Sequence, residues 1–266
     1  MCAVSPKNTC TSATAGDHRT RNPFAGLIVR IFRPMFHLNL VAFRLEMGTE
    51  FFPPGPATGE VGALEQSRLL FIGDCAASGY GVLNHGLGVV SQTARFVARE
   101  HDTGVSWSTI SDVSMTMTRA SFEVETITTA VDAVVILLGP PDVLKATTRT
   151  EWETGLRRTI DTVRELNNAQ CPVVVAAIPP MDRFRSMPKI LQRLLRLQIA
   201  RLDATSLAVS EALPGVCFAP FPDLTASTDS IKDPLSWKTV HSQWALRLGE
   251  VTARALTSPR AGNNLS

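Results

Sequence analysis

Three short stretches of this chain carry side chains that could do chemistry. The first is Leu69-Leu70-Phe71-Ile72-Gly73-Asp74-Cys75-Ala76-Ala77-Ser78-Gly79-Tyr80-Gly81. An apolar run there delivers a carboxylate and a thiol to a turn rich in small residues. A cysteine where a strand gives way to a helix can be activated, because a helix N-terminus favours the thiolate. The adjacent Asp74 opposes that unless its carboxylate points away, and the plain alternative is that Cys75 is a small residue fitting a tight turn. The second stretch, Gly139-Pro140-Pro141-Asp142-Val143, follows another strongly apolar run. The third is Ser230-Ile231-Lys232-Asp233-Pro234-Leu235-Ser236-Trp237, with His241 one turn beyond it. A nucleophile needs a base within hydrogen-bond reach, and a developing oxyanion needs fixed donors. Asp233 is a candidate carboxylate for such a set. His241 reads either as a displaced base or as a helix histidine with a structural task. His85 reads as structural.

The elements that must position these residues follow from periodicity. Short apolar runs at Leu69 to Gly73, Val105 to Ile110, Ala133 to Gly139, Pro172 to Ile178 and Gly215 to Ala219 predict strands. The Ala133 run is unbroken and rich in β-branched residues, as a central parallel strand is. Between them lie helical patterns at Gly86 to His101, Glu151 to Asn167, Pro188 to Leu213 and Trp237 to Leu256. A helix is also expected directly after the Gly-Asp-Cys turn. Alternation of this kind predicts a three-layer α/β/α sandwich with a central parallel sheet, flavodoxin-like in outline. Ahead of it, residues 1–22 read as disordered, 23–46 as a helical arm broken at Pro34, and Pro53 to Gly59 as a linker. The domain is placed at 68–258, with the arm and linker at 23–67 and a disordered tail at 259–266.

Composition narrows the function classes. The 266 residues carry a formal net charge of +2, with no basic stripe or zinc-finger spacing, so no nucleic-acid partner is expected. The five cysteines, Cys2, Cys10, Cys75, Cys171 and Cys217, are odd in number and scattered. They predict a reducing, cytoplasmic setting and no metal centre; Cys171 and Cys217 read as buried hydrophobes. Residues 1–21 lack the form of a secretory signal. The apolar stretch Phe24 to Leu45 is interrupted by Arg30, Arg33, Pro34, His37, Asn39 and Arg44, which argues against a spanning helix. It reads as an arm packed on the domain, with an interfacial membrane anchor as the alternative.

From about Arg68 to the C-terminal helix, the order and spacing of these blocks resembles the SGNH/GDSL hydrolases. The first block looks like the family's Gly-Asp-Ser, with Cys75 at the serine. The resemblance puts the second block after the Val105 run, with Ser114 at the glycine whose N–H joins the oxyanion hole. Gly139 to Val143 is similar to Gly-x-Asn-Asp, with Pro141 at the asparagine donor. The last block, Asp-x-x-His, is matched by Asp233, but Ser236 stands where the histidine belongs. Ile178-Pro179-Pro180-Met181-Asp182-Arg183-Phe184 and Trp244-Ala245 resemble framework segments of actinobacterial-type members. The resemblance implies ester hydrolysis, no organic cofactor, and a pocket involving Gly73, Asp74, Ser114, Gly139, Pro141 and Asp142. Proline offers neither a side-chain amide nor a backbone N–H. Nucleophile, asparagine donor and base all depart from the pattern. Two readings follow: a catalytically degenerate member that binds an acyl or ester-type ligand or a protein partner, or an acyl-ester hydrolase or acyltransferase using Cys75. A third makes residues 23–46 a membrane-surface contact.

Overall fold

The computed structural model describes residues 25–62, 66–184, 187–224 and 236–257. The readings for residues 1–22 and 259–266, and for Asp233, lie outside them. Six strands form one sheet in the order β1-β3-β2-β4-β5-β6: β1 (Gly59–Val61), β2 (Gln66–Gly73), β3 (Gly104–Ser111), β4 (Ala133–Leu137), β5 (Val173–Ala176) and β6 (Val216–Ala219). All neighbouring pairs are parallel except β1 with β3. The antiparallel β1 lies in the stretch expected to be linker. Its three residues are too few to show a period, so only pairing with β3 makes it a strand.

The pleat sorts the side chains. In β2, Leu70 and Ile72 enter the core on one face while Leu69 and Phe71 enter the other, and β4 divides in the same way. Helices α3 (Val89–His101) and α9 (Trp237–Thr257) cover the second face through Val90, Ala94, Val97, Trp244 and Leu248. Helices α6 (Arg149–Leu166) and α8 (Lys189–Ala212) cover the first through Trp152, Leu156, Ile160, Leu195 and Leu202. Thr148 starts α6 with a reciprocal capping box to Glu151. The short helices α4 (Met117–Glu123), α5 (Pro140–Lys145) and α7 (Met181–Phe184) sit in connections without enough periodic positions to be read from sequence.

The arm is two helices, α1 (Ala25–Ile31) and α2 (Arg33–Thr49). The break falls at Phe32, so Pro34 sits in the first turn of α2, where its missing N–H costs nothing. Phe36, Leu40, Phe43 and Met47 of α2 join the same core cluster as Cys75, Val143 and Leu144. The arm therefore closes over the strand ends from the α5 side. Among the described residues, no helix is long and apolar enough to cross a membrane.

Gly139, between β4 and α5, is held at its size by packing: a Cβ there would fall within the Ile178 side chain. Gly139→Ala should cost about 1–3 kcal/mol in urea unfolding. Paired with Ile178→Ala, the cost of the glycine change should shrink, giving a non-additive cycle.

Candidate active site

Leaving out the edge strand β1, the parallel strands run in the doubly wound order in which the chain reverses direction between β2 and β4. In open α/β sheets, the crevice at the carboxyl ends of two such strands is where ligands bind. Here β2 ends at Gly73 and β4 at Leu137, paired in register. The first and third sequence blocks are the segments leaving those two ends.

Asp74 joins them. Its Oδ2 accepts the Gly139 N–H at 3.0 Å and its Oδ1 the Ala76 N–H at 3.2 Å, while its own N–H donates to Leu137 O at 3.2 Å. The Cys75 thiol donates to Asp74 Oδ1 at 3.6 Å. Burial pushes the Asp74 carboxyl up to about 7, against the pull of those donors. Burial also pushes the Cys75 thiol well above its usual range, and the neighbouring Asp74 charge adds to the shift. The segment after Cys75 is a string of turns through Gly81, and α3 starts only at Val89. The helix expected next to the thiol is absent, so no helix N-terminus favours the thiolate. Gly79 and Gly81, at φ of +86° and +75°, are what allow the chain to turn repeatedly instead.

Of the two readings of His241, the geometry fits the structural one. It is buried in α9, and its Nδ1 accepts the Val89 N–H at 3.0 Å. Its Nε2–H must then donate to Tyr80 O, 2.8 Å away. Both ring nitrogens are committed to backbone, which ties the Cys75 turn and the start of α3 to the closing helix. Burial lowers its pKa. A displaced base would need a lone pair facing the thiol, and this ring has none to give. Ser236, which the resemblance set at the histidine, accepts the Thr239 N–H at 3.4 Å at the start of α9. His85 bonds Gly55 O at 2.9 Å, a structural role.

The second and third blocks are likewise occupied. The Ser114 N–H and hydroxyl both donate to Asp112 Oδ1, at 2.9 and 2.7 Å. That N–H is therefore already paired, as is the Gly139 N–H. Pro141 is buried in the first turn of α5 and offers no donor. Asp142 Oδ2 accepts the Met117 N–H at 2.8 Å and Oδ1 the Thr147 hydroxyl at 2.8 Å, so it pins the starts of α4 and α6 together. Burial raises its pKa to about 6.

Two features escaped the sequence. Asp203 of α8 reaches the end of β5, accepting the Ile178 N–H at 3.0 Å, and burial pushes its pKa to about 7. Nothing in the periodicity of α8 marks it out. The second is a run of half-buried aromatic rings beside the first block. Tyr80 lies edge-on to Trp237 at 4.7 Å, with Phe184 at 5.1 Å from Trp237 and Phe52 at 6.0 Å from Tyr80. The Tyr80 hydroxyl donates to Glu46 of α2 at 3.2 Å, tying the arm to this cluster.

The chain belongs to the GDSL-like lipase/acylhydrolase family, whose model matches residues 71–243. Its fold is similar to that of a lipolytic G-D-S-L family protein from Veillonella parvula DSM 2008, at 14% identity, TM-score 0.51, and coverage of 71% of this chain and 100% of that one. It is also similar to TesA, at 16% identity and TM-score 0.50, covering 72% of this chain and 98% of that one. No curated protein matches the sequence.

Two outcomes test this geometry. A carboxyl whose pKa rises on folding binds more protons in the folded chain between its two pKa values. Asp74, Asp142 and Asp203 should therefore cost stability as pH climbs from about 4 to about 7, with neutral His241 working in the opposite sense on the acid side. Asp203→Asn keeps an acceptor for the Ile178 N–H and removes the charge. The variant should exceed the native chain in unfolding free energy at pH 8 by more than about 1.4 kcal/mol, and the gain should vanish toward pH 4. Second, iodoacetamide at pH 8 should alkylate Cys75, followed by peptide mass, far more slowly in the folded chain than in urea.

Proposed function

We propose that this protein is a catalytically degenerate member of its family, whose sheet edge serves binding of an acyl or ester-type ligand rather than turnover. The observation that carries this reading is His241, with both ring nitrogens held by backbone. So bonded, the ring has no lone pair left for the Cys75 thiol. The missing donor at Pro141 adds to this, since loss of one oxyanion donor costs about 10²–10³ in turnover. Residues that act as a unit fail together, so a neutral, buried thiol gains little from the parts that remain. The binding half of the reading rests on the half-buried Tyr80, Trp237, Phe184 and Phe52 rings beside the first block, which offer apolar contact to a chain-like ligand.

Acyl transfer through Cys75 is the second reading. The observation that favours it is the thiol's 3.6 Å contact with Asp74 Oδ1, from a carboxyl that titrates near neutrality. In that case Asp74 would take the thiol proton as the sulfur attacks the ester carbonyl and return it to the leaving oxygen as the tetrahedral adduct collapses, releasing the alcohol and leaving the acyl group as a thioester on Cys75.

Intact-mass spectrometry separates the two. After incubation with short and medium-chain p-nitrophenyl esters, the native chain and Cys75→Ala should show the same adducts, and decanoate should raise the melting temperature of both. An acyl adduct present only in the native chain would overturn the degenerate reading in favour of the thioester.

A further inference from the structure

The arm has two faces, and only one is spent on the fold. Val29, Phe36, Leu40, Phe43 and Met47 are buried against the domain. On the opposite side stands a second apolar row: Leu27, Ile31, Leu38, Val41 and Leu45, with exposures from 44% to 69%. The spacing of this row, three to four residues with one longer step across the break at Phe32, keeps it on a single outward side. Isolated exposed leucines are ordinary on a protein surface, but a row of them along one side of two consecutive helices is not.

The charges on the same segment are of one sign. From Ala25 through Leu45 there is no aspartate or glutamate, while Arg30, Arg33 and Arg44 are all exposed. Arg33 lies near enough to Glu151 to lower the pKa of that carboxyl; Glu151 hydrogen bonds at the α6 cap account for most of the shift. Arg30 and Arg44 flank the apolar row. The two acids of the segment's end, Glu46 and Glu50, come after it, and Glu46 is turned inward to Tyr80. Apolar side chains on the outward crest with cations beside them, and acids excluded, match the interface of an anionic bilayer: the apolar row enters the acyl boundary and the guanidinium groups meet headgroup phosphates. A second copy of the same row would instead bring like charges together.

We propose that the outward face of α1 and α2 docks the protein on an anionic membrane surface, with the helices lying in the interface plane. No described segment crosses the bilayer in this arrangement. The inner face stays packed on α5, so docking requires no unfolding. Because the same helix holds Tyr80 through Glu46 and covers the strand ends near Cys75, the docked protein presents its candidate site next to the lipid.

The test is co-sedimentation of the full chain with sucrose-loaded vesicles. One set is phosphatidylcholine alone and the other contains about one-third phosphatidylglycerol. Binding should be strong to the anionic vesicles at low salt and weak to neutral ones, and should fall several-fold as salt is raised. Leu38→Glu/Leu45→Glu should lower the partition coefficient by about tenfold or more. Both positions are exposed, so the variant should keep its circular dichroism spectrum and melting temperature. Equal partitioning of the native chain and the variant would overturn the proposal. So would absence of binding to anionic vesicles, or a dimer in sedimentation velocity that the same substitutions abolish without any vesicle binding. None of these readouts depends on Cys75 or on acyl binding.

Discussion

The Asp74 carboxylate is the interaction on which the candidate site turns. It sits at the end of β2, reaches across the point where strand order reverses, and accepts the backbone N–H of Gly139 at the end of β4. A parallel sheet gives no hydrogen-bonded closure to the segments that leave its strands. Something must satisfy the N–H groups that emerge there, because an unpaired buried donor costs free energy comparable to a lost hydrogen bond. Asp74 does so for two of them, at the cost of desolvating its own charge. That cost is why its pKa rises to about 7 although every partner it has is a donor. The Gly139 and Ala76 N–H groups are both paired to this carboxylate.

The rest of the strand-end region repeats this choice. Asp142 holds the starts of α4 and α6, Asp112 takes the Ser114 N–H, and His241 takes Val89 N–H and Tyr80 O. In each case a polar group standing at or near a position associated with catalysis is paired with backbone, and the fold gains rigidity from it. Catalysis asks the reverse: donors and lone pairs left unsatisfied by the protein so that the transition state can use them. Under the degenerate reading proposed above, this mutual pairing is what leaves the site little to offer a reacting group.

The arm extends the same economy to apolar surface. Its inner row completes the core around α5, and its outer row has no counterpart within the described residues. Packing of Phe36 and Met47 gives the helix a fixed orientation, and that orientation is what turns a merely hydrophobic sequence into a directed face.

The sequence alone settled much of the architecture. The β-branched run from Ala133 and the apolar runs at Leu69 and Pro172 read as buried parallel strands, and the helical periods between them predicted layers on both faces. Glycine and aspartate at Gly73-Asp74 and Gly139 marked the two strand exits, because a tight turn leaving a strand demands small or polar residues. That Pro141 can donate no hydrogen bond was legible from its chemistry, while the expectation of a donor at that position came only from the family resemblance. Tertiary structure decided what no local pattern encodes. The edge strand β1 exists only through β3. The turn after Cys75 replaces a helix because Gly79 and Gly81 adopt positive φ. Asp203 reaches β5 from a helix far along the chain. Whether His241 is a base or a strut depends on which atoms lie 3 Å from its two nitrogens, and those atoms come from residues more than a hundred positions away. Spacing in one dimension constrains neighbours within a helix turn or a pleat; partners brought together by crossovers are fixed only when the whole sheet closes.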